Sequence, residues 1–493
     1  MVQDNNFEKI VKLAKQRGFI YPSSEIYGGL SAAYDYGPLG VELKNNIKQA
    51  WWKMFVTSRA DMVGLDSAII MNPKVWEASG HVENFSDPLV DCKSCHRRFR
   101  EDHLLEDNSL QPEYDKTKPR DKKDLKCPDC GGELTSARQF NLMLKTFLGP
   151  LEDSASIAYL RPETAGGIFV NFKNVLETMR LKLPFGIAQI GKAFRNEITT
   201  ENFIFRTREF EQLEIEYFIN PSVWEQHFSE WQKVMKSWCL SLGLSPDDLV
   251  EHEIGSKDRA FYSKRTIDFE YKFPFGQKEL YGLAYRTDYD LSQHQKFSGQ
   301  DLSYTDPITK EKFIPHVIEP SLGVDRTILA VLCAAYTEIK GGRSTTTESN
   351  KESEVVLKLP YNLAPIKIAV LPLSKKENLA ELSRSILMDL KKNWVCLYDE
   401  TASIGKRYRR QDEIGTPYCV TVDFESLEDK KVTVRDRDTM QQDRVAVSEL
   451  NNYFNEKEKK LHDDKVIDND VDNLPEKIKG NNEFVDDVGI VTQ

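Results

Sequence analysis

The chain has 493 residues, of which 40% are hydrophobic and 29% are charged, and this is the composition of a folded protein with roughly two to four domains. No apolar run approaches the ~18 residues that a membrane span needs, and the N-terminus has charges where a signal peptide has an apolar centre. We therefore expect a cytoplasmic protein without a membrane partner. The net charge of −11 argues against general affinity for polyanions, although a locally basic surface can still contact nucleic acid.

The first predicted region, residues 1–87, contains two helices and a strand. Apolar residues at helical spacing predict a helix from Asn5 to Arg17. A second helix covers residues 41–57, and the run MVGLDSAIIMNP after it predicts a strand that ends before Pro73.

Residues 88–136 differ in composition from their surroundings and are predicted to be an inserted module. They contain two Cys-x-x-Cys pairs, Cys92 with Cys95 and Cys127 with Cys130. Each pair can place two thiolates on one Zn²⁺, and four cysteines leave no open coordination position, so we expect a structural zinc site. Free thiols or a redox pair are the alternative. The module is also basic near its first pair, which indicates either contact with RNA or substrate, or ordinary surface charge.

The remaining regions differ from one another in their patterns. Strand and helix signals mix over residues 137–340 in the manner of an antiparallel sheet flanked by helices, which is an α+β fold. Residues 341–364 have the composition of a linker. Residues 365–455 alternate strands and helices as a separate α/β domain, and residues 456–493 are predicted to be an acidic, disordered tail.

The segment AFRNEITTENFIFRTREFEQLEIEY, residues 193–217, joins two strand-like runs that are crowded with arginine and glutamate. Side chains two apart on a strand share a face, so Leu213, Ile215 and Tyr217 are predicted to face the core and the charged residues to lie opposite. The pattern alone suits an exposed hairpin with cross-strand ion pairs as well as it suits a binding site for groups of both signs.

Two further stretches, YLRPETAGGIFVNF (159–172) and IEPSLGVDRTILAVL (318–332), decide between these readings. Together with the hairpin they resemble the class II aminoacyl-tRNA synthetases, and most closely the dimeric glycyl-tRNA synthetases. The hairpin resembles motif 2 of that family, Gly323 to Arg326 with the apolar helix behind them resemble motif 3, and the helix and strand before Pro73 resemble motif 1, the dimer element. Residues 365–455 resemble the anticodon-binding domain. The resemblance implies a homodimer that attaches glycine to tRNA(Gly) through a glycyl-adenylate, with ATP and Mg²⁺.

The resemblance also implies the ATP site. Forming an adenylate requires neutralisation of the negative charge that develops at the α-phosphate, and the attacking carboxylate is already ionised, so arginines are needed and a general base is not. Arg195 and Arg206 would hold the α-phosphate and the glycine carboxylate, Arg326 would clamp the far side of ATP, and these three are the catalytic set. Glu279 matches the acidic position that coordinates Mg²⁺. The implied ATP-binding residues are Arg195, Asn196, Glu197, Phe205, Arg206, Thr207, Arg208, Glu209, Phe210, Glu279, Leu280, Gly323, Val324, Asp325 and Arg326, with Glu197 at the adenine amino group and Phe210 stacked on the ring.

Carboxylates dominate the implied glycine pocket. Glu163, Glu214 and Glu319, with Ser321, match the positions that surround the substrate amine and α-carbon in this family. Such a pocket suits an amino acid without a side chain, because a larger substrate is rejected by steric clash. The implied glycine-binding residues are Arg100, Glu163, Phe210, Glu211, Gln212, Leu213, Glu214, Glu319, Pro320, Ser321, Leu322 and Gly323.

One position departs from the family pattern, and two other functions stay open at this point. Gly166 stands where the pattern RPETAQG has glutamine. Histidyl-, threonyl- and prolyl-tRNA synthetases share the core and a similar C-terminal domain, and a non-catalytic paralogue that only binds tRNA is the alternative from another class. The retained charged residues argue against that paralogue, because buried charges without ligands are costly. For tRNA, the basic run from Lys406 to Arg410 predicts phosphate binding, with a solvated helix face as the alternative.

Overall fold

The computed structural model describes residues 6–106, 125–153, 155–198, 202–257, 259–260, 262–341, 343 and 353–467. Its helices are α1 (Asn6–Gln16), α2 (Pro38–Trp52), α3 (Lys74–Ala78), α4 (His81–Asn84), α5 (Glu101–Glu106), α6 (Ala165–Met179), α7 (Trp224–Ser241), α8 (Tyr289–Ser298), α9 (Val324–Ala335), α10 (Glu377–Leu390), α11 (Ile404–Glu413), α12 (Glu425–Asp429) and α13 (Leu450–Ile467). None of the helices in these described ranges is both long and apolar enough to cross a bilayer.

The strands are short in the N-terminal part and long around the middle of the chain. They are β1 (Ile20–Pro22), β2 (Tyr34–Tyr36), β3 (Met62–Gly64), β4 (Ser86–Asp91), β5 (Arg98–Arg100), β6 (Arg138–Asn141), β7 (Lys145–Phe147), β8 (Ile157–Tyr159), β9 (Phe185–Phe194), β10 (Glu209–Ile219), β11 (Leu249–Glu253), β12 (Arg265–Phe273), β13 (Gly276–Thr287), β14 (Tyr304–Thr305), β15 (Lys312–Phe313), β16 (His316–Gly323), β17 (Tyr336–Ile339), β18 (Glu354–Leu357), β19 (Ile368–Pro372), β20 (Cys396–Tyr398), β21 (Tyr418–Val422), β22 (Lys431–Asp436) and β23 (Gln442–Ala446).

A seven-stranded sheet organises the first domain, in the order β11-β12-β13-β16-β10-β9-β3. Neighbouring strands are antiparallel except β3, which runs parallel to β9. Leu213, Ile215 and Tyr217 of β10 are buried in the largest hydrophobic cluster, as their alternation predicts. The α+β fold that the sequence predicts is therefore confirmed.

The strand that the sequence predicts to reach Pro73 is much shorter in the structure. Strand β3 ends at Gly64, where an added Cβ would lie only 2.5 Å from the Trp52 ring, so the helix packs directly on the strand end. The chain then leaves the sheet, and the carbonyl oxygen and hydroxyl of Ser67 accept hydrogen bonds from Arg161. Ile69 and Ile70 of this segment are exposed, so the apolar run does not form a core strand, and an apolar run alone does not distinguish a strand from such a crossing segment.

The inserted module is built on a small three-stranded sheet in the order β5-β4-β6. Its two cysteine pairs are brought together beside this sheet, where an isolated bridge joins Cys92 to Leu134. The lysine- and aspartate-rich middle of the predicted module, residues 107–124, lies outside the described residues.

The C-terminal domain has a five-stranded sheet in the order β20-β19-β21-β22-β23, parallel in its first three strands and antiparallel in the rest. Two boundaries differ from the sequence-based ones. Strand β18 lies inside the predicted linker 341–364 and pairs with β17, because its Val356 and Leu357 are buried. Helix α13 runs to Ile467, past the predicted start of the tail, since Leu450 and Phe454 anchor it on the sheet; residues 468–493 lie outside the described part.

Candidate active site

Two adjoining cavities lie on the face of the large sheet that β10, β13 and β16 form. The arginine cavity is bordered by strand residues of β10 and β16 and by the connection before β10. Register places Gln212 opposite Gly323 and Glu214 opposite Ser321, so the hairpin and the third motif share one site. Of the implied residues, the arginine cavity collects Arg195, Glu197, Phe205, Arg206, Thr207, Phe210, Gln212, Glu279, Leu280, Ser321, Leu322, Gly323, Asp325 and Arg326.

Three guanidinium groups converge on the arginine cavity. Arg195 lies with its Cζ 5.2 Å from the centre of the Phe210 ring, and Arg326 lies 4.4 Å from that of Phe205. Planar guanidinium groups stack well on aromatic rings, which holds both side chains in place. Arg206 forms no hydrogen bond or ion pair with another residue in the described ranges, so its donors are free for a ligand.

Two acidic residues of the arginine cavity, Glu279 and Glu197, differ in their hydrogen bonds. Glu279 accepts a hydrogen bond from Arg326 Nη1 at 3.1 Å. Desolvation inside the cavity would raise the pKa of the half-exposed Glu279, but Arg326, Arg195 and Arg206 outweigh it and lower the pKa, so the carboxylate is ionised at neutral pH. Glu197 is buried, and its Oε2 atom has no hydrogen-bond partner among the described residues, which leaves an acceptor for a bound donor.

The second cavity, here the carboxylate cavity, is lined by Glu163, Glu214 and Glu319 and reaches Asp268 and Tyr262. It shares wall residues with the arginine cavity. The shared residues are Arg195, Gln212, Glu279 and Ser321. A ligand with both a cationic and an anionic end can therefore lie across the two cavities.

Glu214 is held by donors on three sides. Its Oε1 atom accepts hydrogen bonds from Ser321 Oγ at 2.9 Å and from Gln212 Nε2 at 3.1 Å, and its Oε2 atom accepts one from the Thr164 hydroxyl. Burial and the charge of Glu163 nevertheless raise the pKa of Glu214, because these donors are neutral.

Arg286 of β13 is a buried positive charge that pairs with a carboxylate lining the carboxylate cavity. Its Nη1 atom donates to Glu319 Oε1 at 2.7 Å, and its Nε and Nη2 atoms bind both oxygens of Asp290, each at 2.8 Å. His81 Nε2 lies 3.4 Å from Glu163 Oε2. Burial on its own would raise the pKa of Glu163, but His81, Arg286 and Arg195 lower it to about 2.

Sequence reasoning missed Arg286, Asp290 and His81, which lie outside the recognised motifs. It also missed Glu216, which is completely buried beside Glu319. A usable signal existed for Glu216, because it follows Glu214 by two residues on the same strand and so shares its face.

Eight implied residues line neither cavity: Arg100, Asn196, Arg208, Glu209, Glu211, Leu213, Pro320 and Val324. Strand alternation explains three of these, since Glu209, Glu211 and Leu213 lie on the opposite face of β10 from Phe210. Glu211 instead pairs with Lys44 and Lys48 of α2 at 2.9 and 3.1 Å.

The other implied residues outside the cavities have backbone or packing contacts of their own. Arg208 donates to the backbone oxygens of Glu197 and Ser31. Val324 is completely buried in the core. Arg100 is ion-paired to Asp87 at 2.7 Å in the inserted module.

Asp325 ties the motif elements together at the edge of the arginine cavity. Its Oδ2 atom accepts a hydrogen bond from the Glu211 backbone N–H at 2.8 Å, and its Oδ1 atom accepts one from the Tyr36 hydroxyl. The start of α9 is thus fixed to β10 through a carboxylate, and the position of Arg326 follows from that attachment.

The four cysteines of the inserted module fit a tetrahedral metal site. The Sγ atoms of Cys92 and Cys130 are 3.5 Å apart, those of Cys95 and Cys127 are 3.6 Å apart, and all four lie within 4.8 Å of one another. Zn–S bonds of ≈2.3 Å in a tetrahedron require sulfur separations of about this size. A Cβ at Gly132 would meet Cys92 Sγ at 3.0 Å, which explains why glycine follows the second pair.

The basic run on α11 divides into structural and exposed residues. Arg407 is buried, and its guanidinium donates to the carbonyl oxygens of Pro372 and Leu373, while Arg410 is ion-paired to Asp399. Lys406 is exposed. Most of the run therefore stabilises the domain, and only part of it is free to meet a phosphate.

Comparison with known proteins agrees with this arrangement. Residues 151–335 match the family model of the tRNA synthetase class II core domain (G, H, P, S and T), and residues 367–457 match that of the anticodon binding domain. The glycine–tRNA ligase of Alkaliphilus oremlandii is 53% identical over 468 residues, which are 93% of this chain and 99% of that protein.

Relatives from other bacteria are equally similar. The glycine–tRNA ligase of Bacillus cereus is 53% identical and covers 92% of this chain and 99% of its own length. That of Thermobifida fusca is 52% identical, with 91% and 97% covered. Identity at this level over almost the whole of both chains shows that the chain belongs to the glycine–tRNA ligase family of class II aminoacyl-tRNA synthetases.

Proposed function

We propose that the chain attaches glycine to tRNA(Gly) in two steps. Glycine and ATP form glycyl-adenylate and release pyrophosphate, and the glycyl group then passes to the 3′ end of the tRNA as AMP leaves. The observation that carries this proposal is the junction of the two cavities, where a guanidinium-lined space meets a carboxylate-lined one. Glycine has one charge of each sign and ATP is an anion, so this junction suits both substrates.

In the first step the arginines act on the phosphates and on the glycine carboxylate. Arg206, whose donors are free, binds the α-phosphate and stabilises the charge that develops on it during the in-line attack. Arg195, held over Phe210, orients the attacking carboxylate. Arg326 and Phe205 close the far side of the nucleotide, and the unpartnered Glu197 Oε2 accepts a hydrogen bond from the adenine amino group.

Glu279 is the residue that would hold Mg²⁺ at the phosphates. Its carboxylate is ionised and half-exposed at the mouth of the arginine cavity, which fits an oxygen-preferring cation. When bound, the ion neutralises phosphate charge that the arginines do not reach.

Selection of glycine rests on the carboxylate cavity. Glu163, ionised at neutral pH, and Glu214 and Glu319 surround the place where the substrate ammonium group would lie. Ser321, which donates to Glu214, borders the α-carbon. A side chain on the α-carbon would have to displace these tightly bonded groups, so rejection of larger amino acids is steric.

Three further assignments complete the proposal. The thiolates of Cys92, Cys95, Cys127 and Cys130 would hold a structural Zn²⁺ that cross-links the inserted module. The domain of residues 367–457 binds the anticodon arm of the tRNA. The protein acts as a cytoplasmic homodimer in which α2 contributes to the subunit contact.

ATP–pyrophosphate exchange, measured with each of the twenty amino acids, tests the function. We expect exchange with glycine alone, and a loss of at least about 100-fold in Arg206→Ala, the size of effect seen when one donor to a transition-state charge is removed. Arg384→Ala, an exposed arginine of the C-terminal domain, is the matched control and should exchange normally. Exchange with histidine, threonine or proline would reject the carboxylate argument, and no exchange at all would indicate a tRNA-binding paralogue.

A further inference from the structure

Glu216 differs from the other carboxylates around the glycine pocket because nothing donates to it. Its side chain is completely buried, and neither of its carboxylate oxygens accepts a hydrogen bond from any residue that the structure describes. Glu214 accepts hydrogen bonds from three side chains, Glu319 accepts one from Arg286, and Glu163 lies next to a histidine. An orphan carboxylate of this kind needs an explanation.

The neighbours of Glu216 are mostly acidic. Oxygen atoms of Glu214, Glu216 and Glu319 all lie within 4.8 Å of one another. The register between β10 and β16 pairs Glu214 with Ser321 and Tyr217 with Ile318. Between these pairs, Glu216 lies across from Glu319. On its other side β9 presents the apolar Ile187.

The positive charge nearby is already engaged. Arg286 of β13 uses one nitrogen for Glu319 and two for Asp290 of α8. Three carboxylates at such distances cannot all be ionised in a buried site without another cation, so at least one of them retains a proton. Glu319 has the arginine and Glu214 has three donors, which leaves Glu216 as the group for which ionisation is most costly.

We propose that Glu216 is a positioning residue for amino-acid recognition: it keeps its proton and donates it in a hydrogen bond to Glu319, which orients Glu319 toward the substrate ammonium group. Glu216 does not line the carboxylate cavity, so it acts through Glu319 and does not touch the substrate. Burial and the charge of Glu319 raise the pKa of Glu216 well above its ordinary value, in agreement with the retained proton. The inference rests on the proposed function of this site.

Two substitutions of Glu216 test whether its carboxyl group is a neutral hydrogen-bond donor or an ionised ligand. Glu216→Gln keeps a neutral donor of the same size, and its KM for glycine should stay within about two-fold of wild type. Glu216→Leu keeps the volume without the donor, and its KM for glycine should rise about ten-fold or more with KM for ATP unchanged, since the Glu319 oxygen loses its donor. If Glu216→Gln raises KM for glycine as much as Glu319→Gln does, or if Glu216→Leu binds glycine normally, the proposal is wrong.

Thermal unfolding gives a readout that does not depend on activity. An acid that is protonated in the folded chain and ionised in the unfolded one makes the folded state less stable as pH rises above the ordinary pKa of glutamate. Glu216→Gln removes this effect, so its Tm relative to wild type should increase between about pH 5 and pH 8.

If the Tm difference between Glu216→Gln and wild type does not change with pH, Glu216 does not retain its proton and the proposal is wrong. Stabilisation by Mg²⁺, Mn²⁺ or Ca²⁺ that disappears in Glu216→Gln would make the cluster a cation site and would also overturn it. These outcomes are distinct from failure of the proposed function, which would appear as absent glycine-dependent exchange in the wild-type protein.

Discussion

Gly166 lies in the first turn of α6, where the Trp76 ring covers it. A Cβ at this position would lie 2.8 Å from Trp76 Cζ3 and 3.0 Å from Cη2, and the indole itself is completely buried. The sequence pattern of the family places glutamine here, and the tryptophan ring lies where that side chain would begin. The lack of a side chain at Gly166 therefore leaves room for the Trp76 ring.

Gly166→Ala is expected to lower the Tm, although alanine favours helix by about 1 kcal/mol over glycine. Overpacking a rigid buried ring costs about 1–3 kcal/mol, which exceeds that gain. Gly405→Ala in α11 is the matched control, because no atom lies within 4 Å of its added Cβ, and its Tm should stay level or rise. Differential scanning calorimetry of both variants decides, and an unchanged Tm for Gly166→Ala would show that the ring moves freely.

The role proposed for Glu319 predicts that the use of glycine depends on pH. Burial, together with repulsion from Glu214 and Glu163, raises the pKa of Glu319 to about 8 against the opposing effect of Arg286. In the proposed pair Glu216 keeps its proton throughout, so Glu319 is the member that ionises as pH rises toward about 8. Below that pH a protonated Glu319 cannot pair with the substrate ammonium group. We expect kcat/KM for glycine in the exchange assay to rise toward about ten-fold per pH unit between about pH 6 and pH 8. A flat profile over this range would contradict this role of Glu319.

At the scale of elements, the hairpin of β9 and β10 shows what the sequence could and could not predict. Alternation identified the core face of β10 correctly, because a two-residue period needs no knowledge of distant contacts. The same alternation sets Glu216 on the face of Glu214, and it turns Glu211 toward α2, where Lys44 and Lys48 pair with it. The roles of Arg286 and Asp290 could not be predicted from the sequence. They arise only when β13 and α8 meet Glu319 of β16, and these contacts join segments far apart in sequence.

The cysteine cluster predicts that Cys127→Ser abolishes binding of one zinc per chain. A tetrahedral site with three thiolates and a hydroxyl holds the metal weakly, so the module around β4 should become sensitive to protease. Cys333→Ser, outside the cluster, controls for the loss of a cysteine. Metal analysis and limited proteolysis measure both effects, and a variant that retains stoichiometric zinc would exclude this ligand set.

Helix α11 predicts a separation of tRNA binding from glycine activation. Lys406→Ala is expected to raise KM for tRNA about two- to five-fold in aminoacylation and to reduce its salt dependence by about one phosphate contact, with pyrophosphate exchange unchanged. Arg407→Ala should instead lower the Tm of the domain, because Arg407 is buried and bonded to backbone carbonyls. Equal KM values for Lys406→Ala and wild type would assign this helix a structural role alone.

At the scale of the whole molecule, an exposed apolar patch before α2 predicts self-association. Ile26 is 88% exposed, and Tyr27 and Leu30 beside it are exposed too, which is costly for a monomer in water. We expect light scattering to give twice the 56.7 kDa chain mass for wild type, and a smaller average mass for Ile26→Asp at low concentration. Ile308→Asp is the matched control, since Ile308 is 87% exposed elsewhere. A wild-type monomer would exclude the dimer, and an intact Ile26→Asp dimer would place the contact elsewhere.

Ion pairs connect the two domains in addition to the chain segment between them. Arg343 contacts Glu354 at 2.9 Å and Asp412 at 2.6 Å, and Arg435 binds the same Asp412 at 2.9 Å. Arg17 near the N-terminus is ion-paired to Glu413. Contacts from the N-terminal region, from the segment between the domains and from β22 thus converge on α11.

Strand β18 sets the size of the smallest fragment able to activate glycine. Leu357, Leu359, Leu363 and Ile366 follow the glycine- and threonine-rich segment, yet they pack into the hydrophobic core of the first domain. A fragment that stops at residue 340 would expose the unpaired edge of β17 and the apolar surface that these side chains cover, which are conditions that favour aggregation. A catalytic unit without the anticodon-binding domain must therefore keep the chain as far as Ile366. The end of the folded unit thus lies about 25 residues beyond residue 340, where the composition of the sequence places the end of the catalytic core.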